Sequence, residues 1–137
     1  MPDSRPLRAL LIEPESVVAI TVKRWLEGFG YQVTDIQSAV HVNLLLVDTK
    51  YDLLVITSLR GREALEETPP SVKLLEELRG GMRFHLNRKV PIVFHSGRGL
   101  DHTVAQRLAI AYVAKPSTQA TLEAGIAKAQ DLADQVR

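Results

Sequence analysis

The stretch Tyr51-Asp52-Leu53-Leu54-Val55-Ile56-Thr57 decides the fold. Its four central residues are all apolar, with no alternation between an inward and an outward face. That is the signature of a strand covered on both sides, as in the interior of a parallel sheet. The same signature recurs upstream at Ala9-Leu10-Leu11-Ile12 and downstream at Val90-Pro91-Ile92-Val93-Phe94. A weaker run, Ile110 to Ala114, precedes Lys115-Pro116. Tyr31-Gln32-Val33-Thr34 is short and partly polar, as an edge strand is.

Helical spacing fills the intervals. Val18, Val22, Trp25 and Phe29 recur at helical period after the first strand, and Gly28 and Gly30 mark the stop. Ser38 to Val47 reads as a second helix whose Leu44-Leu45-Leu46 run suits close packing on the sheet. Val72, Leu75, Leu78 and Met82 form a third stripe, ended by Gly80-Gly81. Thr103 to Leu108 is a short fourth helix. The fifth carries Leu122, Ile126, Ala129, Ala133 and Val136 on one face, with Ser117 or Thr118 as its cap. Trp25, Phe29 and the leucine stripes are expected in the core. Strand and helix thus alternate five times, which implies parallel strands joined by right-handed crossovers with helices on both faces. Ser58 to Pro70, polar and ending in Pro69-Pro70, is long for a strand-to-helix loop and is expected to be mobile or to touch a partner.

Composition narrows the function. The chain has 137 residues, one domain of ordinary size, with 45% hydrophobic and 24% charged residues, enough for a substantial core. A net charge of +1 gives no overall pull toward nucleic acid or an anionic membrane. There is no cysteine, and the four histidines (His41, His85, His95, His102) lack metal-ligand spacing. No run approaches the ~20 apolar residues of a membrane span, and the start does not read as a signal peptide, so a cytoplasmic protein is expected.

The order of these elements, with Lys115-Pro116 after the fifth strand, resembles the receiver domain of two-component response regulators from about Leu7 to Val136. The resemblance implies a flavodoxin-like (βα)₅ three-layer sandwich with sheet order 2-1-3-4-5, one domain over residues 1–137. It also directs attention to the carboxyl ends of the strands, where sites on such sheets lie. Receivers usually carry two adjacent acids there to hold Mg²⁺; only Glu13 matches, and Pro14 replaces the other. Thr57 falls where the phosphoacceptor aspartate belongs. Ser96 matches the small hydroxyl residue, Lys115 the lysine and Tyr112 the aromatic switch position. Asp52 is no substitute acceptor, because it lies roughly 16 Å back along the strand at about 3.3 Å per residue.

A hydroxyl cannot form an acyl phosphate, and no evident base activates it as a nucleophile. Mg²⁺ favours octahedral oxygen coordination with one or two carboxylates, so weak binding or none is expected, with no other cofactor and no catalytic residue. Lys115 is expected to pair with Glu13, and the Lys115-Pro116 bond to be cis as in the family. Ser96 also suits a cap for the turn Gly97-Arg98-Gly99, and His95 is expected to pack at its strand end. Glu63, Glu66 and Glu67 read as a solvated face, and His102 as merely exposed.

The leading reading is a degenerate receiver that signals through protein–protein contact. Its partner face would include Val104, Arg107, Tyr112, Gln119 and Lys128. The partners implied are a histidine kinase or another signalling protein, or a second copy in a homodimer, with no nucleic acid and no membrane. The alternatives are a divergent receiver still responsive to a phosphorelay through Glu13 or Glu15, and a flavodoxin-like ligand-binding domain. Glu13-Pro14-Glu15 argues against the latter as a nucleotide site, since two negative charges and a missing N–H repel a phosphate.

Overall fold

The computed structural model describes residues 6–37, 42–57, 70–97 and 99–136. Five strands, β1 (Leu7–Ile12), β2 (Tyr31–Ile36), β3 (Leu53–Ile56), β4 (Ile92–Ser96) and β5 (Ile110–Ala114), form one sheet in the order β2-β1-β3-β4-β5. Every adjacent pair is parallel. The helices are α1 (Ser16–Gly28), α2 (Val42–Asp48), α3 (Pro70–Gly80), α4 (His102–Leu108) and α5 (Gln119–Ala133), with a 3-10 turn at His85–Asn87.

The unalternating runs are explained by two cores. Leu10, Ile12, Leu54, Ile56, Ile92, Phe94 and Ile110 pack with residues of α2, α3 and α4 on one face. Ala9, Leu11, Leu53, Val55, Val93, Ala111 and Val113 pack with α1 and α5 on the other. Odd-numbered positions of these four strands therefore share one face and even-numbered positions the other. This parity governs what reaches each side at the strand ends. Helix α5 approaches β5 so closely that a Cβ on Gly125 would collide with the Val113 side chain.

Several boundaries follow local chemistry. Gly30 (φ 102°) carries the chain out of α1, and Gly81 (φ 90°) follows the end of α3. Asp101 caps α4 by accepting from the Thr103 and Val104 amides. Thr118, rather than Ser117, caps α5, in a reciprocal arrangement with Thr121.

Four expectations need correction. Leu46 is buried, but Leu44 is 67% exposed, because α2 turns only one stripe toward the sheet. Met82 lies beyond α3 and is 93% exposed, since the positive-φ Gly81 breaks the helical period before it. Trp25 and Phe29 are only partly buried, at the margin of their core. Val136 likewise falls past the end of α5. The start of the second helix at Ser38, the Ser58–Pro69 stretch with its glutamates, and Arg98 lie outside the described residues.

Two polar staples hold the α3–β4 connection. The Arg79 guanidinium donates to four main-chain carbonyls, those of Leu108, Arg88, Val90 and Ala109, at 2.8–3.1 Å. It thereby braces Ala109, a non-glycine residue in the left-handed region (φ 56°). Burial, with a contribution from Arg88, lowers its pKa to about 10, which leaves it charged at neutral pH. Buried Asn87 accepts from the Tyr51 amide and donates to the Leu46 and Thr49 carbonyls. Arg79→Met should destabilise the fold by about 3 kcal/mol and Asn87→Ala by about 2 kcal/mol, because each leaves buried main-chain groups without partners. Urea denaturation with an unchanged slope checks both values.

Candidate functional site

Strands β1, β3, β4 and β5 end together, so Glu13, Thr57, Ser96 and Lys115 all emerge at the carboxyl edge of the sheet. Parity then divides them. Glu13, Thr57, His95 and Lys115 continue the positions that face α1 and α5, whereas Ser96 and Tyr112 continue those that face the other layer. Glu13, Thr57, His95 and Ser96 are all buried.

Glu13 is only 1% exposed, yet it is a carboxylate. Its Oε1 lies 2.7 Å from Lys115 Nζ, and its Oε2 accepts from the Glu15 amide at 3.1 Å. The Lys115 contact has ion-pair distance but not hydrogen-bond angles, so Oε1 has no hydrogen-bond partner among the described residues. The ammonium supplies charge compensation rather than a directed bond. The pairing expected from the sequence is therefore present, and the Lys115-Pro116 bond is cis, as the resemblance implied. Pro14 follows Glu13 with no side-chain donor to offer. The Thr57 amide donates to Ile12 O at 3.2 Å, which fixes this residue beside the end of β1. Asp52 is at the opposite edge of the sheet, where its carboxylate accepts from the Arg8 amide at 2.8 Å.

These donors do not fit Mg²⁺. Its preferred shell needs one or two carboxylates free to bind with water and phosphate. Here the one buried carboxylate already faces an ammonium, and Thr57 contributes only a hydroxyl. No group of three or more acidic or histidine side chains suited to a metal ion occurs among the described residues.

On the other layer, the Tyr112 hydroxyl donates to Ser96 O at 2.7 Å, and the Lys115 amide donates to the same carbonyl at 3.1 Å. Tyr112 is 38% exposed and thus held at one end by a bond while its ring meets solvent. Arg107 on α4 is exposed and pairs with Glu76 of α3 at 3.2 Å. Gln119 and Lys128 on α5 are exposed. Val104 differs from the rest: it is half-buried against the core and adds little to that surface.

His95 is the residue that sequence reasoning undervalued. It is buried, with Nε2 2.8 Å from Ser117 Oγ and Nδ1 without a hydrogen-bond partner among the described residues. Burial first, and the nearby Lys115 charge second, lower its pKa to about 4. The available signal was parity, since His95 lies two positions after buried Val93 and must face the same layer.

This fold, five parallel strands in the order 2-1-3-4-5 between helices, matches the CheY-like, flavodoxin-like fold. No family model matches the chain, and no curated protein matches it. Among solved structures, it is similar to a sensor protein from Polaromonas sp. JS666, at 21% identity and a TM-score of 0.73, over 93% of this chain and 98% of that one. It is also similar to a CheY-like receiver domain from Methanospirillum hungatei JF-1, at 16% identity and a TM-score of 0.71, over 96% and 98% of the two chains. A third is the receiver domain of sensor histidine kinase PA1611 from Pseudomonas aeruginosa PAO1, at 20% identity and a TM-score of 0.70, over 93% and 99%. That structure holds a magnesium ion in its active-site cleft.

Two outcomes are expected. Lys115→Met should cost about 3 kcal/mol by stranding a buried carboxylate, and adding Glu13→Gln should restore most of it, as read from a double-mutant cycle in urea. The His95 ring should titrate near pH 4 in NMR. Because its folded pKa lies below the ordinary 6.5, the unfolded chain binds the proton first. Stability from this group is full above about pH 6.5 and is lost as pH falls toward 4, a slope that His95→Gln should flatten.

Proposed function

We propose that the chain is a degenerate receiver, one receiver-like domain over residues 1–137, that acts in signal transduction by binding protein without aspartyl phosphorylation. The observation that carries this reading is the ion pair between buried Glu13 and partly exposed Lys115 at 2.7 Å, beside a β3 end that carries Thr57. A receiver that transfers a phosphoryl group needs a carboxylate nucleophile and a bound cation. The lysine here is already committed, and the acceptor position holds a hydroxyl. Neither Ile56 nor Ser58, one residue to either side, supplies an acid. On this reading the protein is not an enzyme, and Glu13, Pro14, Thr57, Ser96 and Lys115 are a vestigial phosphorylation site.

Partner binding is assigned to the surface of α4, β5 and α5, with Arg107, Tyr112, Gln119 and Lys128 as contact residues and Val104 beneath them. Tyr112 offers the mix of exposed ring and anchored hydroxyl that interfaces favour. The partner is a histidine kinase or another signalling protein, or a second copy of this chain. Among the described residues no helix is long and apolar enough to cross a membrane. A cytoplasmic location suits this role.

The deciding experiment records amide spectra with and without Mg²⁺ plus beryllofluoride, a mimic of the aspartyl phosphate. The expected result is no saturable shift at Thr57, Ser96 or Lys115, and no label from acetyl phosphate. Saturable shifts there that spread to Tyr112 would overturn the proposal. Tyr112→Ala with Arg107→Ala should weaken partner capture by at least about tenfold while leaving the circular dichroism unchanged.

A further inference from the structure

A cavity of ≈ 530 Å³ opens at the amino edge of the sheet, the opposite edge from Glu13, Thr57 and Lys115. The volume falls in the range of small-molecule sites, which combine apolar walls with a few polar groups that fix orientation. Leu7 and Leu86 are among its apolar lining residues, and they are 44% and 39% exposed, so two leucines meet solvent at one opening. Lys50, Arg88 and Lys89 line the same cavity. Its main chain is fastened from beneath by buried Asn87. The Asn87 side chain accepts from the Tyr51 amide and donates to the Thr49 carbonyl, so it holds the residues on either side of Lys50. Leu86 and Arg88 flank Asn87 itself. One buried amide therefore fixes the spacing between the lysine segment and the leucine–arginine segment, and a preformed site binds at lower entropic cost.

Charge selects the ligand. Lys50, Arg88 and Lys89 form no ion pair among the described residues. Asp52 is the one acid in the lining, and its carboxylate already accepts from the Arg8 amide at 2.8 Å. Three cations against one carboxylate leave a surplus of two positive charges, which a dianion matches. A second observation points the same way. Arg88 stands close enough to Arg79 for its charge to lower the Arg79 pKa, and neither guanidinium has an acid beside it among the described residues. An anion next to Arg88 offsets that repulsion. At neutral pH a phosphate monoester carries about two negative charges, where a carboxylate carries one. We propose that this cavity binds a small phosphate monoester, its head on Lys50, Arg88 and Lys89 and its apolar body against Leu7 and Leu86. The site is separate from the carboxyl edge and from the α4–β5–α5 surface, and it does not rest on the absence of aspartyl phosphorylation.

Amide spectra titrated at pH 7.5 with phenyl phosphate test the assignment. Saturable shifts are expected at Lys50, Leu86 and Lys89, with a Kd on the order of 1 mM, as suits a ligand of this size. Inorganic phosphate, which lacks the body, and benzoate, which carries one charge, should each bind at least about threefold more weakly. Benzyl alcohol, with no charge, should give no saturable shift. Added salt should weaken phenyl phosphate, since the attraction is screened.

Lys50→Ala with Lys89→Ala changes two exposed positions and should weaken phenyl phosphate by at least about tenfold with unchanged circular dichroism. Leu86→Ser should weaken phenyl phosphate by about threefold and leave inorganic phosphate unaffected. Asp52→Asn keeps an acceptor for the Arg8 amide and should tighten phenyl phosphate by about threefold, a gain that loss of structure cannot imitate. No saturable response to phenyl phosphate at tens of millimolar, or an equal response to benzyl alcohol, would overturn the proposal. So would unchanged binding in the double lysine variant or in Asp52→Asn, which would place the anion elsewhere. A failure of these titrations leaves the beryllofluoride result standing, and the reverse holds too.

Discussion

A carboxylate that is 1% exposed sets the terms for the carboxyl edge of this sheet. Removing Glu13 from water costs several kcal/mol unless a counter-charge meets it. The counter-charge comes from the far side of the sheet, because β3 and β4 stand between β1 and β5. Three strand spacings at about 4.8 Å amount to roughly 14 Å, so both side chains must extend to close to 2.7 Å. The bridge consequently crosses the ends of β3 and β4, over the region where Thr57 and His95 lie. One electrostatic requirement thus links the first strand to the last and shapes the neutral state of the imidazole, whose pKa Lys115 helps to lower.

Much of this was legible in the sequence because the relevant forces act on short segments. Four apolar residues in succession, as at Leu53 to Ile56, leave few options other than a strand buried on both faces. The β5 bounds, the α5 cap region and the Glu13–Lys115 pair followed from pattern or from the family likeness. Exposure within helices was less legible. Leu44 and Met82 are apolar residues in plausible register, yet one sits on the outer side of α2 and the other beyond Gly81. Apolar character alone does not say which residues a short helix turns inward, because only tertiary packing selects the stripe.

The polar staples were not legible at all. Arg79 serves carbonyls from the β4 approach and the α4–β5 turn, and Asn87 serves the α2–β3 connection. These partners are main-chain groups distant in sequence, and a main-chain carbonyl has no residue-type signature. His95 illustrates a different gap. Its burial followed from strand parity, but its Ser117 partner comes from the loop after the cis bond, whose path no periodicity predicts.

Gly125 has a mechanical meaning. With no side chain at that point, α5 rests directly on Val113, one strand position removed from both Tyr112 and Ala114. At that point alone the α5 backbone meets the strand directly, while Leu122, Ile126 and Ala129 fill the interface on either side. Val113 lies two residues before Lys115, so the close approach sits next to the strand end that carries the lysine. Any side chain at position 125 would have to displace Val113 or lift α5 from the strand that leads to the lysine paired with Glu13.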